Sequence, residues 1–281
     1  VTGARDLEGR VALVTGANTG IGLVTARELA RRGARVFIAC RSEERARAAA
    51  DSIKSDTGEN VDALPLDLGD FASVRRSAEA FLAKGTPLHL LVNNAGLAGA
   101  RGLSRSGFEI AFGVNHVGHF LLTRLLLPRL EQSAPGRIVN VSSKAHYDVK
   151  SIDWDALQKR TRSITGLPEY GVSKLANILF TSALAQRLTG KRVTTYALHP
   201  GVVASDVWRA VPWPIRGLMK RRMLTTEEGA QTSLYCATSP EAEQQSGLYY
   251  DECRVKEPSA LARDAALAEK LWRESEAWTA S

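Results

Sequence analysis

The chain has 281 residues, of which 44% are hydrophobic and 24% charged, with a formal net charge of +7. That size and balance fit one large α/β domain and exclude a disordered chain. Lysines and arginines are scattered, which tells against nucleic acid, and Cys40, Cys236 and Cys253 form no C-x-x-C pair, which fits a reducing, cytoplasmic setting without a disulfide framework.

No uninterrupted apolar run reaches the roughly 18 residues of a membrane-spanning helix. The polar stretch Val1 to Arg10 reads as neither signal peptide nor anchor. Short runs rich in Val, Ile and Leu then recur at Val11–Thr15, Val36–Cys40, Val61–Leu66, Leu88–Asn93, Ile138–Ser142 and Val193–Leu198. They read as strands buried on both faces. Between them lie amphipathic stretches, Gly22–Arg32, Glu43–Lys54, Ala72–Ala83, Phe108–Leu130 and Tyr170–Leu188, that read as helices. The alternation predicts right-handed βαβ crossovers and a doubly wound parallel sheet with helices on both faces. Ligands in such sheets bind beyond the carboxyl ends of the strands, so residues just after each apolar run are the candidates for function.

The first run ends in Thr15-Gly16-Ala17-Asn18-Thr19-Gly20-Ile21-Gly22. Gly16 permits a tight turn, Gly20 lets backbone approach a pyrophosphate, and Gly22 lets the next helix pack on the sheet. That helix's N-terminus offers free N–H groups and a positive dipole end to phosphates. The second run ends in Cys40-Arg41, with no acid before Glu43. An acid there would bond a ribose 2′-hydroxyl, whereas an arginine accommodates a 2′-phosphate, so the reading is NADP(H). Asp67, after the third run, is a candidate acceptor for the adenine amino group or a helix cap.

Tyr170 and Lys174 stand at i and i+4 on one predicted helix, and so share a face. A phenol keeps its proton to about pH 10. An ammonium one turn away would stabilise the phenolate and suit the tyrosine to acid/base work near neutrality. Ser142 and Ser143 close the fifth run, where a hydroxyl can bond the substrate oxygen. Asn115 is a poor helix former inside Phe108–Leu130. A break there frees backbone groups to bind water and connect to Lys174.

Taken together, T-G-x-x-x-G-I-G at 15–22, Asn93-Asn94-Ala95-Gly96, Asn115, the serine after Ile138–Val141, Tyr170 with Lys174, and Pro200-Gly201 resemble the short-chain dehydrogenase/reductase family over nearly the whole chain. The resemblance implies a single Rossmann-type domain with a seven-stranded parallel sheet. It makes Tyr170 the acid/base, Lys174 the holder of the nicotinamide ribose, Ser143 the substrate-orienting serine and Asn115 part of a proton relay. The cofactor site it implies takes Gly16, Asn18, Thr19, Gly20, Ile21, Gly22, Arg41, Asp67 and Leu68. It continues through Asn94, Ala95, Gly96, Tyr170, Lys174, Pro200, Gly201 and Val203. Ala39-Cys40-Arg41, Phe112–Phe120, Ser173–Asn177, His199–Val203 and Gly247-Leu248-Tyr249-Tyr250 are similar to the retinol dehydrogenase branch, and Ser205 stands where that branch often has threonine. The branch implies an alcohol/carbonyl interconversion on a small lipophilic substrate, retinoid, lipid aldehyde or polycyclic ketone. A silent NADP(H)-binding regulator and a tetrapyrrole reductase are the alternatives, and the presence of all four catalytic residues disfavours the first.

His116 and His119 have the spacing of a helical metal pair, but no third ligand accompanies them and no metal is expected. The segment 207–224, with Trp208, Trp213, Met219 and Met223 among basic residues, reads as a lid or as a peripheral membrane contact. A second excursion, His146 to Pro168, should border the same pocket, and the amphipathic tail Ala260–Trp278 is a candidate homodimer contact.

Overall fold

The computed structural model describes residues 5–203 and 224–280. The six predicted strands are present as β1 (Val11–Thr15), β2 (Arg35–Cys40), β3 (Asp62–Pro65), β4 (Leu90–Asn93), β5 (Gly136–Val141) and β6 (Val193–His199). β7 (Leu248–Asp251) and the two-residue β8 (Arg254–Val255) complete one sheet, ordered β3-β2-β1-β4-β5-β6-β7-β8. The first seven strands run parallel and β8 alone is antiparallel. The seven-stranded expectation is thus corrected to eight within the same fold: Glu252 and Cys253, both at positive φ, turn the chain back on β7.

The helices are α1 (Gly20–Arg31), α2 (Glu43–Thr57), α3 (Phe71–Leu82), α4 (Ile110–Gln132), α5 (Leu167–Arg187), α6 (Thr226–Thr238) and α7 (Ala265–Thr279). Period-two alternation sends Val11 and Leu13 into the core beneath α3, α4 and α5, and Ala12 and Val14 into the core beneath α1, α2 and α6. Both faces of the central strands are dry, which is why those strands are rich in Val, Ile and Leu. The order reverses at β1 and β4, so the crevice beyond Thr15 and Asn93 is the topological switch point.

α4 is long and apolar enough to cross a membrane, with a mean hydropathy of 1.3 in its most apolar window, although Arg124 and Pro128 interrupt its apolar run. Most of that window is buried, so its hydrophobicity belongs to the core. The tail helix α7 packs its apolar face on the chain's own core. Trp272 stacks on Phe180 at 5.9 Å, and the Arg187 guanidinium lies 4.1 Å from the centre of the indole. The segment 207–224 lies outside the described residues except for Leu224, as does Ser205.

Buried polar groups pin the sheet near its carboxyl edge. Asn93 Nδ2 donates to Thr123 Oγ1 and Asn140 Oδ1, and Asn140 Nδ2 donates to Thr181 Oγ1 and Thr195 Oγ1, all at 2.8–3.2 Å. This ties β4, β5 and β6 to α4 and α5, because each amide left unpaired there would keep its full desolvation cost. His116 is enclosed by Phe112, Phe120 and Phe180, and its Nε2 meets Ser275 Oγ at 3.0 Å.

Burial pushes His116 down to about 3 and His119 and His199 to about 4. An imidazole in the unfolded chain titrates near 6.5. Between that value and about 4 the unfolded chain binds more protons, so stability is lost as pH falls, by up to about 1.4 kcal/mol per pH unit for each imidazole. Thermal denaturation between pH 7 and 4.5 should show a steadily falling midpoint, shallower in His116→Phe. A flat profile would contradict neutral burial of these rings.

Candidate active site

A single cleft of about 1520 Å³ opens along the carboxyl edge of the sheet. Drug-sized ligands occupy roughly 300–1,000 Å³, so this volume suits a dinucleotide together with a second molecule. Gly16, Asn18, Thr19, Gly20, Ile21 and Gly22 line one wall. Arg41, Asp67 and Leu68 line the next, Asn94, Ala95 and Gly96 the floor, and Pro200, Gly201 and Val203 the far side.

The glycine turn is shaped by close approach. Gly16 has φ +66°, and a Cβ on it would lie 2.8 Å from the Ala95 Cα. A Cβ on Gly22 would lie 2.7 Å from the Gly16 carbonyl oxygen. The turn therefore holds backbone against backbone and leaves the N-terminus of α1, with no acid in its first turn, facing the cleft. Such an end attracts phosphate, so the residues fit a dinucleotide. Arg41 is exposed at the end of β2, and Ser42, Glu44 and Arg45 line the same corner. Asp67 Oδ1 accepts the Gly69 N–H at 3.0 Å, while the cap of α3 is Asp70 instead, which accepts from Ala72.

Ser143, Tyr170 and Lys174 converge on the cleft. The two serines left open by the sequence separate clearly. Ser142 Oγ turns inward and donates to the Lys174 carbonyl at 2.7 Å, whereas Ser143 hydrogen-bonds the Tyr170 hydroxyl. The Lys174 ammonium stands 5.6 Å from the Tyr170 ring centre and donates to the Val141 carbonyl at 2.9 Å. Burial lowers Lys174 to about 7. Burial raises Tyr170 above its ordinary value, and the Ser143 hydroxyl partly opposes that rise. The sequence reading gave the lowering of Tyr170 to Lys174; in this structure Ser143 opposes the rise.

Asn115 sits where the sequence predicts a break. Residues Gly113–Val117 form a π-turn within α4, with the Gly118 N–H reaching back to the Gly113 carbonyl. Asn115 is fully buried and stands behind the cleft wall. Its Oδ1 accepts from Leu97 N, and its Nδ2 donates to the Leu97 carbonyl and to Ser173 Oγ, all at 2.8–3.0 Å. Ser173 in turn donates to the Tyr170 carbonyl at 2.7 Å. Nothing in the sequence marks Ser173 except its place inside Tyr170–Lys174.

Around the mouth, Tyr147, Val149, Lys150, Leu167, Pro168 and Val172 line the cleft, as expected for the 146–168 excursion. Thr161 ties that excursion to the start of α4 by donating to Glu109 Oε1 at 2.5 Å. His199 accepts from the Lys144 N–H through Nδ1 at 3.4 Å. Behind it, the buried Asp251 Oδ2 holds the Lys144 and Lys256 ammonium groups at 3.2 and 2.8 Å. Those two lysines offset burial and keep the carboxyl below its ordinary range.

The short chain dehydrogenase family model matches residues 10–156. Mouse retinol dehydrogenase 12 is 48% identical over 277 residues, covering 96% of this chain and 86% of the relative. Human retinol dehydrogenase 11 is 48% identical over 276 residues with the same coverage. Among solved structures, a protein from Mycobacterium paratuberculosis is 34% identical with a TM-score of 0.81, covering 100% of this chain and 98% of that one. A Brucella melitensis 3-ketoacyl-(acyl-carrier-protein) reductase complexed with NADH is 26% identical, TM-score 0.68, covering 87% and 97%. A Shigella flexneri short-chain dehydrogenase complexed with NADP is 25% identical, TM-score 0.70, covering 89% and 100%.

Gly22→Ala should test the cradle. Its Cβ has no room beside the Gly16 carbonyl, so the turn must open and dinucleotide affinity should fall about tenfold or more. NADPH fluorescence titration measures this, and unchanged affinity would mean that the turn is not the phosphate seat.

Proposed function

The chain belongs to the short-chain dehydrogenase/reductase family, on its retinol dehydrogenase branch, and from that premise we propose an NADP(H)-dependent oxidoreductase that interconverts an alcohol and a carbonyl on a lipophilic substrate. The observation that carries the reading is the pairing of the Tyr170 hydroxyl with Ser143 inside the cleft, above a buried Lys174 and beside the glycine turn.

A nicotinamide cofactor supplies or accepts the hydride when bound. The rest falls to the protein. Ser143 and Tyr170 present two hydroxyls to one substrate oxygen. Tyr170 gives that oxygen a proton in reduction and takes it back in oxidation. Lys174, once charged, stabilises the phenolate that remains and lowers the cost of releasing the proton. Asn115 and Ser173 hold the backbone of the Tyr170 turn from behind.

The choice of NADP(H) rests on Arg41, which follows Cys40 where a cofactor selective for the free ribose would meet an acid. Arg45 lines the same corner, so two guanidinium groups are available to a 2′-phosphate. The preference for a lipophilic substrate rests on Val149, Leu167, Pro168 and Val172 at the mouth. The three cysteines are free, with Cys40 and Cys236 buried, which accords with a reducing compartment.

Tyr170→Phe should lower turnover by about 10³-fold while the NADPH Kd stays within about twofold. An NADPH-oxidation screen against aliphatic aldehydes, retinal, steroid ketones and aromatic ketones supplies the assay. A phenylalanine variant with full activity would refute the mechanism. Arg41→Ala should weaken NADPH about tenfold and NADH by less than about twofold. Equal affinity for the two cofactors in the parent protein would overturn the NADP(H) assignment.

A further inference from the structure

His119 is 2% exposed and lies on α4 just past the π-turn, and neither of its ring nitrogens faces the cleft. Its Nδ1 stands 3.0 Å from the Asn115 carbonyl oxygen, and its Nε2 stands 2.8 Å from Thr15 Oγ1. A carbonyl only accepts, so Nδ1 carries the proton and Nε2 is the acceptor. Thr15 agrees with that assignment. Its oxygen accepts the N–H groups of Asn94 at 2.9 Å and Ala95 at 3.0 Å, and of the two acceptors within reach of its own proton the imidazole at 2.8 Å is nearer than the Val92 carbonyl at 3.4 Å.

One ring thus touches two parts of the site. Through Thr15 it reaches the end of β1, where the glycine turn begins, and the Asn94–Gly96 floor. Through the Asn115 carbonyl it reaches the π-turn behind Lys174. The distance between those parts is not set by any covalent segment, because they belong to β1, the loop after β4, and α4. A neutral ring is required, since a protonated one would have two donors and no acceptor for Thr15. Burial holds His119 down at about 4, and the nearby Lys174 charge adds to that.

We propose that His119 is a positioning residue of this oxidoreductase: its Nδ1-protonated imidazole fixes the Asn115 backbone relative to the glycine-turn strand, and so sets the wall against which Lys174 works. The inference rests on the oxidoreductase reading above. It accounts for the second histidine of the His116/His119 pair without a metal, since His116 turns instead to Ser275.

The two bonds can be cut separately. The side-chain amide of asparagine reaches the place of Nδ1, and that of glutamine the place of Nε2. His119→Asn keeps the donor to the Asn115 carbonyl and loses the acceptor for Thr15. His119→Gln keeps the acceptor and loses the donor. With NADPH and all-trans-retinal or decanal, His119→Gln should lose about tenfold in kcat with NADPH Kd within about twofold. His119→Asn should keep kcat within about threefold and weaken NADPH about fivefold. Equal losses of both quantities in the two variants, or wild-type constants in either, would overturn the proposal, because a merely structural ring has no reason to split them. An independent readout is the ¹⁵N NMR pattern of the His119 ring in the wild-type protein. Nδ1 protonation throughout pH 5–8 supports the bridge, and Nε2 protonation or a charged ring overturns it. Should the wild-type chain turn over neither carbonyl, the oxidoreductase reading falls. The ring tautomer and the NADPH affinity of His119→Asn then decide the bridge alone.

Discussion

The site depends on keeping an ammonium out of water. Lys174 is 3% exposed, and a charge so placed is costly unless polar groups meet it. The Val141 carbonyl at the end of β5 takes one of its protons, and Asn177 Nδ2 donates to that same oxygen at 3.1 Å. In the other direction, Ser142 Oγ donates to the Lys174 carbonyl. The end of β5 and the second turn of α5 are therefore clamped in both directions. Once they are, Ser143 is the next residue along the strand and Tyr170 is one helical turn back, so their hydroxyls meet. The meeting of these two hydroxyls follows from where the lysine must be satisfied.

The same constraint explains the shape of α4. A regular helix passing behind Lys174 would present a continuous surface to the floor of the cleft. The π-turn at Gly113–Val117 instead rotates Asn115 inward, where its side chain is consumed by Leu97 and Ser173. Close packing then needs small residues on both sides. A Cβ on Gly118 would collide with the Leu68 carbonyl, and one on Gly96 would stand 3.4 Å from the Lys174 ammonium. The polar network of the site and the glycines around it are two expressions of one requirement, that α4, α5 and the β4 loop come closer together than ordinary side chains allow.

What was legible in the sequence follows from this. β1, β2, β4, β5 and β6 are rich in apolar residues because both of their faces are dry, and the residues after them line the cleft because the sheet is parallel. β3 is shorter and half exposed at the sheet edge, so its bounds contract from 61–66 to Asp62–Pro65. β8 has no hydrophobic signal, since Arg254 and Val255 are both exposed. α6 was not anticipated from periodicity, although Thr225 and Glu228 form a capping box that marks its start. Tyr170, Lys174 and Asn115 could be singled out because their spacing and propensity fit the family resemblance carried by the whole set of motifs. The separation of Ser142 from Ser143, and the bonds of Ser173 and His119, could not, because they depend on which way a side chain turns between elements distant in sequence.

Chemistry and selectivity are also held by different parts of the molecule. The groups proposed to handle a proton lie just after β5 and on α5, where buried hydrogen bonds join the two elements. The apolar groups at the mouth come largely from the 146–168 excursion and the start of α5, and the excursion is tied down by the buried Ile152 and Leu157 and by Thr161, which donates to Glu109. The charged residues near that mouth are partly spent on one another, Lys144 and Lys256 on Asp251. The side chains of that excursion that line the cleft, Tyr147, Val149 and Lys150, take no part in the clamp between Val141 and Lys174.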